Sequence, residues 1–304
     1  MKKIILFILT AFILSGCMNR IKFGEPPLEL EEGLIIEQGV KTYINKIDKE
    51  LEMRYIITKP ELSKNTSRDL VFYLHGLGGS ELDWVEKNGF GRSFYNTISL
   101  NPDADNYYAV SISFGRAYLF LNGLLKPYSI DLETLFINEI IPYFKEYLNC
   151  TGNVYLIGHS MGGYNCLALA LRNPDIFKIA VTLSPYVGPI SPFTEEFAEN
   201  GRALGASELN IWIMQKVLTN TFISEERWYE YNPLKLAENT GSFPYLIFST
   251  TDNDLPGFTD SIIDFRNKLV KNGIDHYFCE AEGDHFTVCT MVFTKFLEVI
   301  REEV

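Results

Sequence analysis

The stretch that decides the fold is VYLIGHSMGGYNCLALAL, residues 154–171. It begins with a short apolar run, residues 154–157, which predicts a buried β-strand. The segment Gly158-His159-Ser160-Met161-Gly162 follows directly and fits the pattern G-x-S-x-G. The small apolar residues after it predict a helix. A strand, a sharp glycine-flanked turn and a helix would expose a serine side chain at the tip of the turn, so Ser160 is the candidate nucleophile.

Other short apolar runs, each ending in turn residues, lie on both sides of this stretch. They cover residues 71–74, 107–112, 179–183, 245–248 and 277–279. Segments with helical spacing alternate with them, over residues 132–148, 259–272 and 286–300. The alternation predicts an α/β fold, with a mostly parallel central sheet flanked by helices. Residues 34–57 are expected to add two or three antiparallel strands at one edge.

Residues 186–243 interrupt the alternation, because they contain no clear strand. Aromatic-rich patches with helical spacing surround Phe193, Trp212 and Trp228. A long insertion in a compact domain usually has a function, so we predict a helical cap over the carboxyl edge of the sheet. The cap would be part of one domain that covers residues 33–304.

A serine hydroxyl needs a general base to become a nucleophile. In a strand–turn–helix arrangement of this kind, the acid and the histidine follow the serine along the chain. Two histidines follow Ser160: His276 lies within a predicted strand, whereas His285 lies in the loop between the last strand and the last helix. His285 is therefore the candidate base.

The acid that orients His285 should lie just past the strand predicted over residues 245–248. Asp252 and Asp254 both satisfy this condition. Asp252 comes first, after a turn predicted over residues 249–251, and is preferred; Asp254 is the alternative.

An oxyanion needs two preorganised backbone N–H donors. One belongs to the residue after the nucleophile, Met161. The other should come from the glycine-rich loop that follows residues 71–74, where Leu77 is the expected donor and Gly78 the alternative. His75 in the same loop is expected to hold the loop in place.

Composition excludes several classes of protein. Hydrophobic residues make up 46% of the 304 residues and charged residues 22%, which excludes a disordered chain. The net charge of −12 argues against a general nucleic-acid binder.

The sequence contains no HExxH, paired-cysteine, GxGxxG or phosphate-loop pattern, so we expect neither a metal nor a cofactor. Four cysteines follow residue 17 (Cys150, Cys166, Cys279 and Cys289); their spacing reveals no pairing, and buried free thiols are preferred.

The N-terminus has the pattern of a targeting segment. Lys2 and Lys3 precede an apolar run over residues 4–14, which is too short to cross a bilayer. The run ends in Leu14-Ser15-Gly16-Cys17, which resembles a bacterial lipoprotein signal. The resemblance implies a signal peptide over residues 1–16, a lipid on Cys17 and a tether over residues 17–32. The protein would then be anchored to a membrane of the bacterial cell envelope and face outside the cytoplasm.

The sequence from about residue 33 onward resembles the esterase D-like branch of the α/β-hydrolases, which includes S-formylglutathione hydrolases, feruloyl esterases, acetyl-xylan esterases and enterochelin-type esterases. The matching segments are residues 73–79 (YLHGLGG), 156–163 (LIGHSMGG), 172–177 (RNPDIF), 183–185 (LSP), 228–236 (WYEYNPLKL), 249–254 (STTDND) and 283–285 (GDH). The resemblance implies the α/β-hydrolase fold and a triad of Ser160, Asp252 and His285. Residues 249–251 depart from it, since many relatives have a glycine there, which leaves Asp252 and Asp254 both open.

The expected function is that of a membrane-anchored serine hydrolase that cleaves carboxylic esters through an acyl-enzyme. The substrate would be a small molecule or an ester linked to a polysaccharide. A peptidase or an acyltransferase on the same fold, or a catalytically inactive surface-binding lipoprotein, are the alternatives.

Overall fold

A computed structural model describes residues 35–44, 50–59, 69–86, 89–101, 107–122, 131–239 and 241–302. The predicted signal peptide, the tether and Cys17 lie outside these residues. Within the described segments, no helix is both long and apolar enough to cross a bilayer.

The centre of the fold is an eight-stranded sheet with the order β1-β2-β4-β3-β5-β6-β7-β8. The strands are β1 Ile35–Ile44, β2 Glu50–Thr58, β3 Leu70–Leu74, β4 Tyr108–Ser113, β5 Val154–His159, β6 Phe177–Leu183, β7 Tyr245–Asn253 and β8 His276–Asp284. Strands β3 to β8 pair in parallel, whereas β1 and β2 join antiparallel at one edge. The predicted mostly parallel sheet, with antiparallel strands at one edge, is confirmed.

Helices connect the strands and cover both faces of the sheet. They are α1 Phe90–Ser99, α2 Leu132–Leu135, α3 Ile141–Tyr147, α4 Met161–Arg172, α5 Glu195–Ala203, α6 Glu208–Phe222, α7 Glu225–Tyr231, α8 Pro233–Leu236, α9 Phe258–Lys271 and α10 Met291–Glu302. A π-helical turn, Phe136–Ile140, joins α2 to α3. Pro142 lacks an N–H, and the widened turn before it bonds Ile141 N–H to the carbonyl of Phe136.

The central strands are buried on both faces, which explains their short apolar sequences. In β3, Phe72 contributes to the core on one face of the sheet and Tyr73 to the core on the other. Phe136 and Phe144 pack edge-on against Phe72, whereas Trp84 packs against Tyr73. This two-sided burial holds the carboxyl ends of β3, β5, β6, β7 and β8 at one edge, where the candidate site lies.

Residues 186–243 contain four helices and no strand in their described part, as the sequence predicts. The last two of them pack on α4, where the Tyr164 hydroxyl donates to the Tyr231 carbonyl over 3.0 Å. Trp228 is buried, whereas Trp212 is 57% exposed. The role of residues 186–243 as a cap over the active site remains a prediction.

Candidate active site

Ser160 occupies the turn between β5 and α4 in a strained backbone conformation. Its φ is 55° and its ψ is −115°, values that a residue with a side chain rarely adopts. The turn is held at both ends of the residue. The Ser160 N–H donates to the Leu183 carbonyl over 3.0 Å, and the Ser160 carbonyl accepts from the Tyr186 N–H over 3.0 Å. Hydrogen bonds to residues 183 and 186 therefore fix the backbone position of the candidate nucleophile.

Gly162 lets the turn approach β3. A Cβ atom at this position would lie 1.8 Å from the Leu74 carbonyl oxygen and 2.4 Å from its carbon. Both atoms belong to the backbone of a buried central strand, so neither can move aside. The second glycine of the G-x-S-x-G pattern is thus required by close packing between α4 and the sheet.

We expect Gly162→Ala to destabilise the protein by about 3 kcal/mol or more, because the added methyl group must displace backbone. Urea unfolding of the full chain measures the difference. Gly241→Ala is the matched control, since a Cβ there meets nothing within 4 Å. Its free energy of unfolding should stay within about 1 kcal/mol of wild type. Equal stability of the two variants would contradict the packing argument.

The two segments that carry the predicted oxyanion donors lie next to Ser160. Met161 is the first residue of α4, so its N–H has no acceptor within the helix. A Cβ at Gly76, the residue before Leu77, would lie 3.3 Å from the Ser160 Cβ, so this loop reaches Ser160. The alternative donor, Gly78, is engaged elsewhere: its N–H donates to the Arg116 carbonyl over 2.7 Å. Leu77 and Met161 remain the predicted pair.

His285 is bound to Asp254. Its Nδ1 lies 2.6 Å from Oδ1 of Asp254, and both side chains are buried. A carboxylate can only accept, so Nδ1 carries the proton and Nε2 is left as the basic nitrogen. This is the tautomer that a general base requires.

The preference for Asp252 as the partner of His285 is wrong. Asp252 is exposed, and its Oδ1 accepts from the Gly283 N–H over 2.8 Å. The cause lies in β7, which continues to Asn253 through the residues that were expected to form a turn. Thr250 and Thr251 pair with β8. Asp254 is therefore the first residue past the strand.

The Asp254 carboxylate is surrounded by donors. The Leu255 N–H donates to Oδ1 over 2.7 Å, and the Thr250 hydroxyl donates to Oδ2 over 3.3 Å. Burial alone would raise the pKa of this carboxyl group, but hydrogen bonds from His285 and Ser184 outweigh burial and lower the pKa below its ordinary value. Asp254 is therefore ionised at neutral pH.

His159 precedes the candidate nucleophile in the chain and links it to the His285 loop. Its Nε2–H donates to the His285 carbonyl over 2.7 Å, and the two rings lie 4.8 Å apart. Burial, with a smaller effect of the nearby His285, lowers the pKa of His159 to about 3. The ring is neutral in the folded protein. Only its position before Ser160 in the sequence indicated that it lies at the site.

This buried histidine makes stability depend on pH. Unfolded His159 titrates near its ordinary pKa of about 6.5, so below that pH the unfolded state binds a proton that the folded state does not. We expect the stability advantage of wild type over His159→Asn to shrink by about 2 kcal/mol between about pH 7 and pH 5. Urea unfolding of both proteins at the two pH values measures this. A constant difference would show that His159 is not held neutral.

His75 is bound within the loop between β3 and the 3-10 turn Glu81–Trp84. Its Nδ1–H donates to the Gly76 carbonyl over 2.7 Å, and its Nε2 lies 2.9 Å from the Ser113 hydroxyl. Burial lowers the pKa of His75 to about 4, so the ring is neutral at physiological pH. These contacts tie the loop to β4.

Aromatic rings surround His285. Phe258 packs edge-on against it, with ring centroids 4.9 Å apart, and Tyr186 lies 5.9 Å from Phe258. Phe286 contacts both His285 and His159 although its side chain is 73% exposed. Among the described residues, no group of three or more His, Cys, Asp or Glu side chains could hold a metal ion.

Comparison with known proteins identifies the fold and the family. Solved structures of the same fold include a ferulic acid esterase (TM-score 0.60, 17% identity, 88% of this chain and 97% of that chain covered). An S-formylglutathione hydrolase from Agrobacterium tumefaciens has a TM-score of 0.58 at 17% identity, with 89% and 98% covered. An arylesterase has a TM-score of 0.58 at 15% identity, with 98% and 97% covered. Residues 48–287 match the model of the Esterase family, described as "Putative esterase". The chain therefore belongs to this esterase family and is a carboxylic ester hydrolase with the α/β-hydrolase fold.

Proposed function

We propose that the protein is a serine esterase in which Ser160 is the nucleophile, His285 the general base and Asp254 the acid that orients His285. The bond between His285 Nδ1 and Asp254 Oδ1 carries the proposal, because it selects the tautomer that can accept a proton from a serine. The strained turn at Ser160 is the second support, since it is the conformation that projects a nucleophile from a sheet edge.

In the proposed reaction, the Ser160 oxygen attacks the ester carbonyl while His285 Nε2 accepts the hydroxyl proton. The N–H groups of Leu77 and Met161 stabilise the resulting oxyanion. His285 then donates the proton to the leaving alkoxide, which departs as an alcohol and leaves an acyl group on Ser160. A water molecule, deprotonated by the same nitrogen, attacks the acyl-enzyme; the bond to the Ser160 oxygen breaks, that oxygen takes the proton back from His285, and the acid is released. Asp254 stabilises the imidazolium at each step.

We propose an uncharged ester with an apolar or aromatic acyl group as the substrate class. Phe258, Phe286 and Tyr186 offer an apolar surface beside His285, and the net charge of −12 disfavours strongly anionic substrates. The names of two similar structures, a ferulic acid esterase and an arylesterase, refer to aromatic esters.

The test is hydrolysis of p-nitrophenyl acetate, butyrate and octanoate and of methyl ferulate by the full chain. We expect turnover of the esters and covalent labelling of the peptide that contains Ser160 by a fluorophosphonate probe. Preferred cleavage of a p-nitroanilide would favour a peptidase, and faster product release with added alcohol would favour an acyltransferase. A folded protein that neither turns over esters nor reacts with the probe would favour the inactive binding protein.

Phe286→Ala tests the substrate class. Loss of an aromatic contact beside His285 should raise KM for methyl ferulate about fivefold, while KM for p-nitrophenyl acetate changes by less than about twofold. Leu100→Ala is the control, because Leu100 is also highly exposed but lies at the end of α1. Equal changes in KM for both esters would contradict an aryl-binding role for Phe286.

We further propose that a lipid on Cys17 anchors the protein to a membrane of the cell envelope. The support is the sequence alone: two lysines, an apolar run and Leu14-Ser15-Gly16-Cys17. Expression of the full chain in a bacterium should place wild type in the membrane fraction and Cys17→Ser in the soluble fraction. Incorporation of labelled palmitate should be lost in the same variant. Equal distribution of both proteins would contradict the anchor.

A further inference from the structure

Two buried cysteines lie on either side of the His285 loop. The Sγ atoms of Cys279 and Cys289 are 3.0 Å apart, and ten positions separate the residues in sequence. Cys279 lies on β8, opposite Ser249 of β7. Cys289 lies just before α10, where its carbonyl accepts the Val292 N–H. Neither thiol contributes to the proposed reaction, so that reaction does not account for the contact between the two sulfur atoms.

The environment of Cys289 favours a reactive sulfur. The contact with the Cys279 thiol, with hydrogen bonds from the N–H groups of Met291 and Val292 at the start of α10, lowers the pKa of Cys289 below its ordinary value against the opposing effect of burial. The pKa of Cys279 shifts in the opposite direction, because its contact with Cys289 and its burial both raise it. The pair therefore consists of one sulfur with thiolate character and one thiol in direct contact with it.

We propose that Cys279 and Cys289 form a disulfide that closes the loop carrying His285. The oxidant is a disulfide, either of a small thiol or of a dithiol oxidoreductase. The Cys289 thiolate attacks one oxidant sulfur, which forms a mixed disulfide and releases the first thiolate. Cys279, after loss of its proton to solvent, attacks the Cys289 sulfur and expels the second thiolate. The two cysteines are oxidised and the oxidant is reduced to two thiols.

The disulfide would restrain the loop that carries His285. Residues 285–290 separate β8 from α10 and form no helix or strand. Within the loop, His285 is bound through Asp254 and through its carbonyl to His159. A covalent bond between the two ends of this short loop lowers the entropy of the unfolded chain and limits opening of the folded one. Formation of the disulfide is independent of the proposed function. The effect of the disulfide on esterase activity rests on the proposed function.

Peptide mapping of the full chain, purified without reductant and with thiols blocked by iodoacetamide, tests the bond directly. Both cysteines lie in one tryptic peptide, residues 272–295, which should be lighter by two hydrogen atoms than its reduced form. Glu280 and Glu282 lie between them, so cleavage after glutamate should leave two peptides joined only through sulfur. Cys150 and Cys166 are internal controls and should be alkylated after unfolding. Unlinked Cys279 and Cys289 in protein treated with oxidised glutathione, or a bond to another cysteine, would overturn the proposal.

Thermal unfolding supplies the second measurement. The oxidised protein should have a Tm about 5 °C above that of the reduced protein, as expected for closing a loop of this length in a chain of this size. In Cys279→Ser/Cys289→Ser, Tm should no longer respond to reductant. After heating, the oxidised protein should also retain more esterase activity than the reduced protein. If the bond forms and Tm rises but neither redox form hydrolyses esters, the disulfide exists and the proposed function is at fault. An equal Tm with and without reductant would refute the stabilising role.

Discussion

Ser160→Ala is expected to lower kcat for ester hydrolysis by about 10⁴-fold or more, because without the Ser160 hydroxyl no acyl-enzyme can form. The residual rate would come from oxyanion binding and substrate positioning alone. Steady-state hydrolysis of p-nitrophenyl butyrate by the full-length protein measures the loss. Labelling by the fluorophosphonate probe should disappear in the same variant.

The fold should survive this substitution. The turn is held by backbone bonds, from the Ser160 N–H to Leu183 and from the Tyr186 N–H to the Ser160 carbonyl, and neither involves the hydroxyl. We therefore expect a Tm within about 3 °C of wild type. A folded Ser160→Ala protein with full activity would rule out the proposed nucleophile.

Asp254→Asn should reduce kcat by about 10⁴-fold, while Asp252→Asn should change it by less than about threefold. The two residues have the same chemistry and lie two positions apart, so they form a matched pair. Only the Asp254 carboxylate is within hydrogen-bond distance of His285 Nδ1. An amide at position 254 can donate to Nδ1, which would place the imidazole proton on Nε2 and remove the base. The measurement is kcat for p-nitrophenyl butyrate in both variants.

Stability measurements separate misfolding from loss of the base. Asp254 accepts from Thr250 and Leu255 as well as from His285, so Asp254→Asn should also destabilise the fold by about 2 kcal/mol. Asp254→Glu offers a second test, since it retains the charge at an altered distance and should recover part of the activity that Asp254→Asn loses. If Asp252→Asn instead abolished activity in a folded protein, the assignment of the acid would be reversed.

The linear sequence was sufficient where a local pattern specifies a local structure. The apolar run of β5 followed by glycines placed Ser160 on a turn between strand and helix, and this turn is observed. Alternation of short apolar runs with helical segments was sufficient for a parallel sheet, because strands buried on both faces have distinctive sequences. His285 could be selected because only two histidines follow Ser160 and one of them lies within a strand.

Pairing between strands that are distant in sequence decided the end of β7 and the carboxylate that contacts His285, which the local sequence pattern could not. Thr250 and Thr251 appear as turn residues in isolation, but pairing with β8 extends β7 past them and transfers the His285 contact from Asp252 to Asp254. The last helix begins at Met291, not near residue 286 as its pattern indicated, because the loop after β8 turns through Asp284 and Thr287.

The same dependence on distant contacts explains the two features that the sequence did not reveal. His159 meets the His285 carbonyl, and Cys279 meets Cys289, only once β5, β6, β7 and β8 lie side by side. Residue types and spacing therefore predicted the fold and the positions of the proposed nucleophile and base in it. The tertiary structure decided which carboxylate contacts His285, where the buried His159 lies and which cysteines pair, since each depends on which residues the sheet brings together from separate parts of the chain.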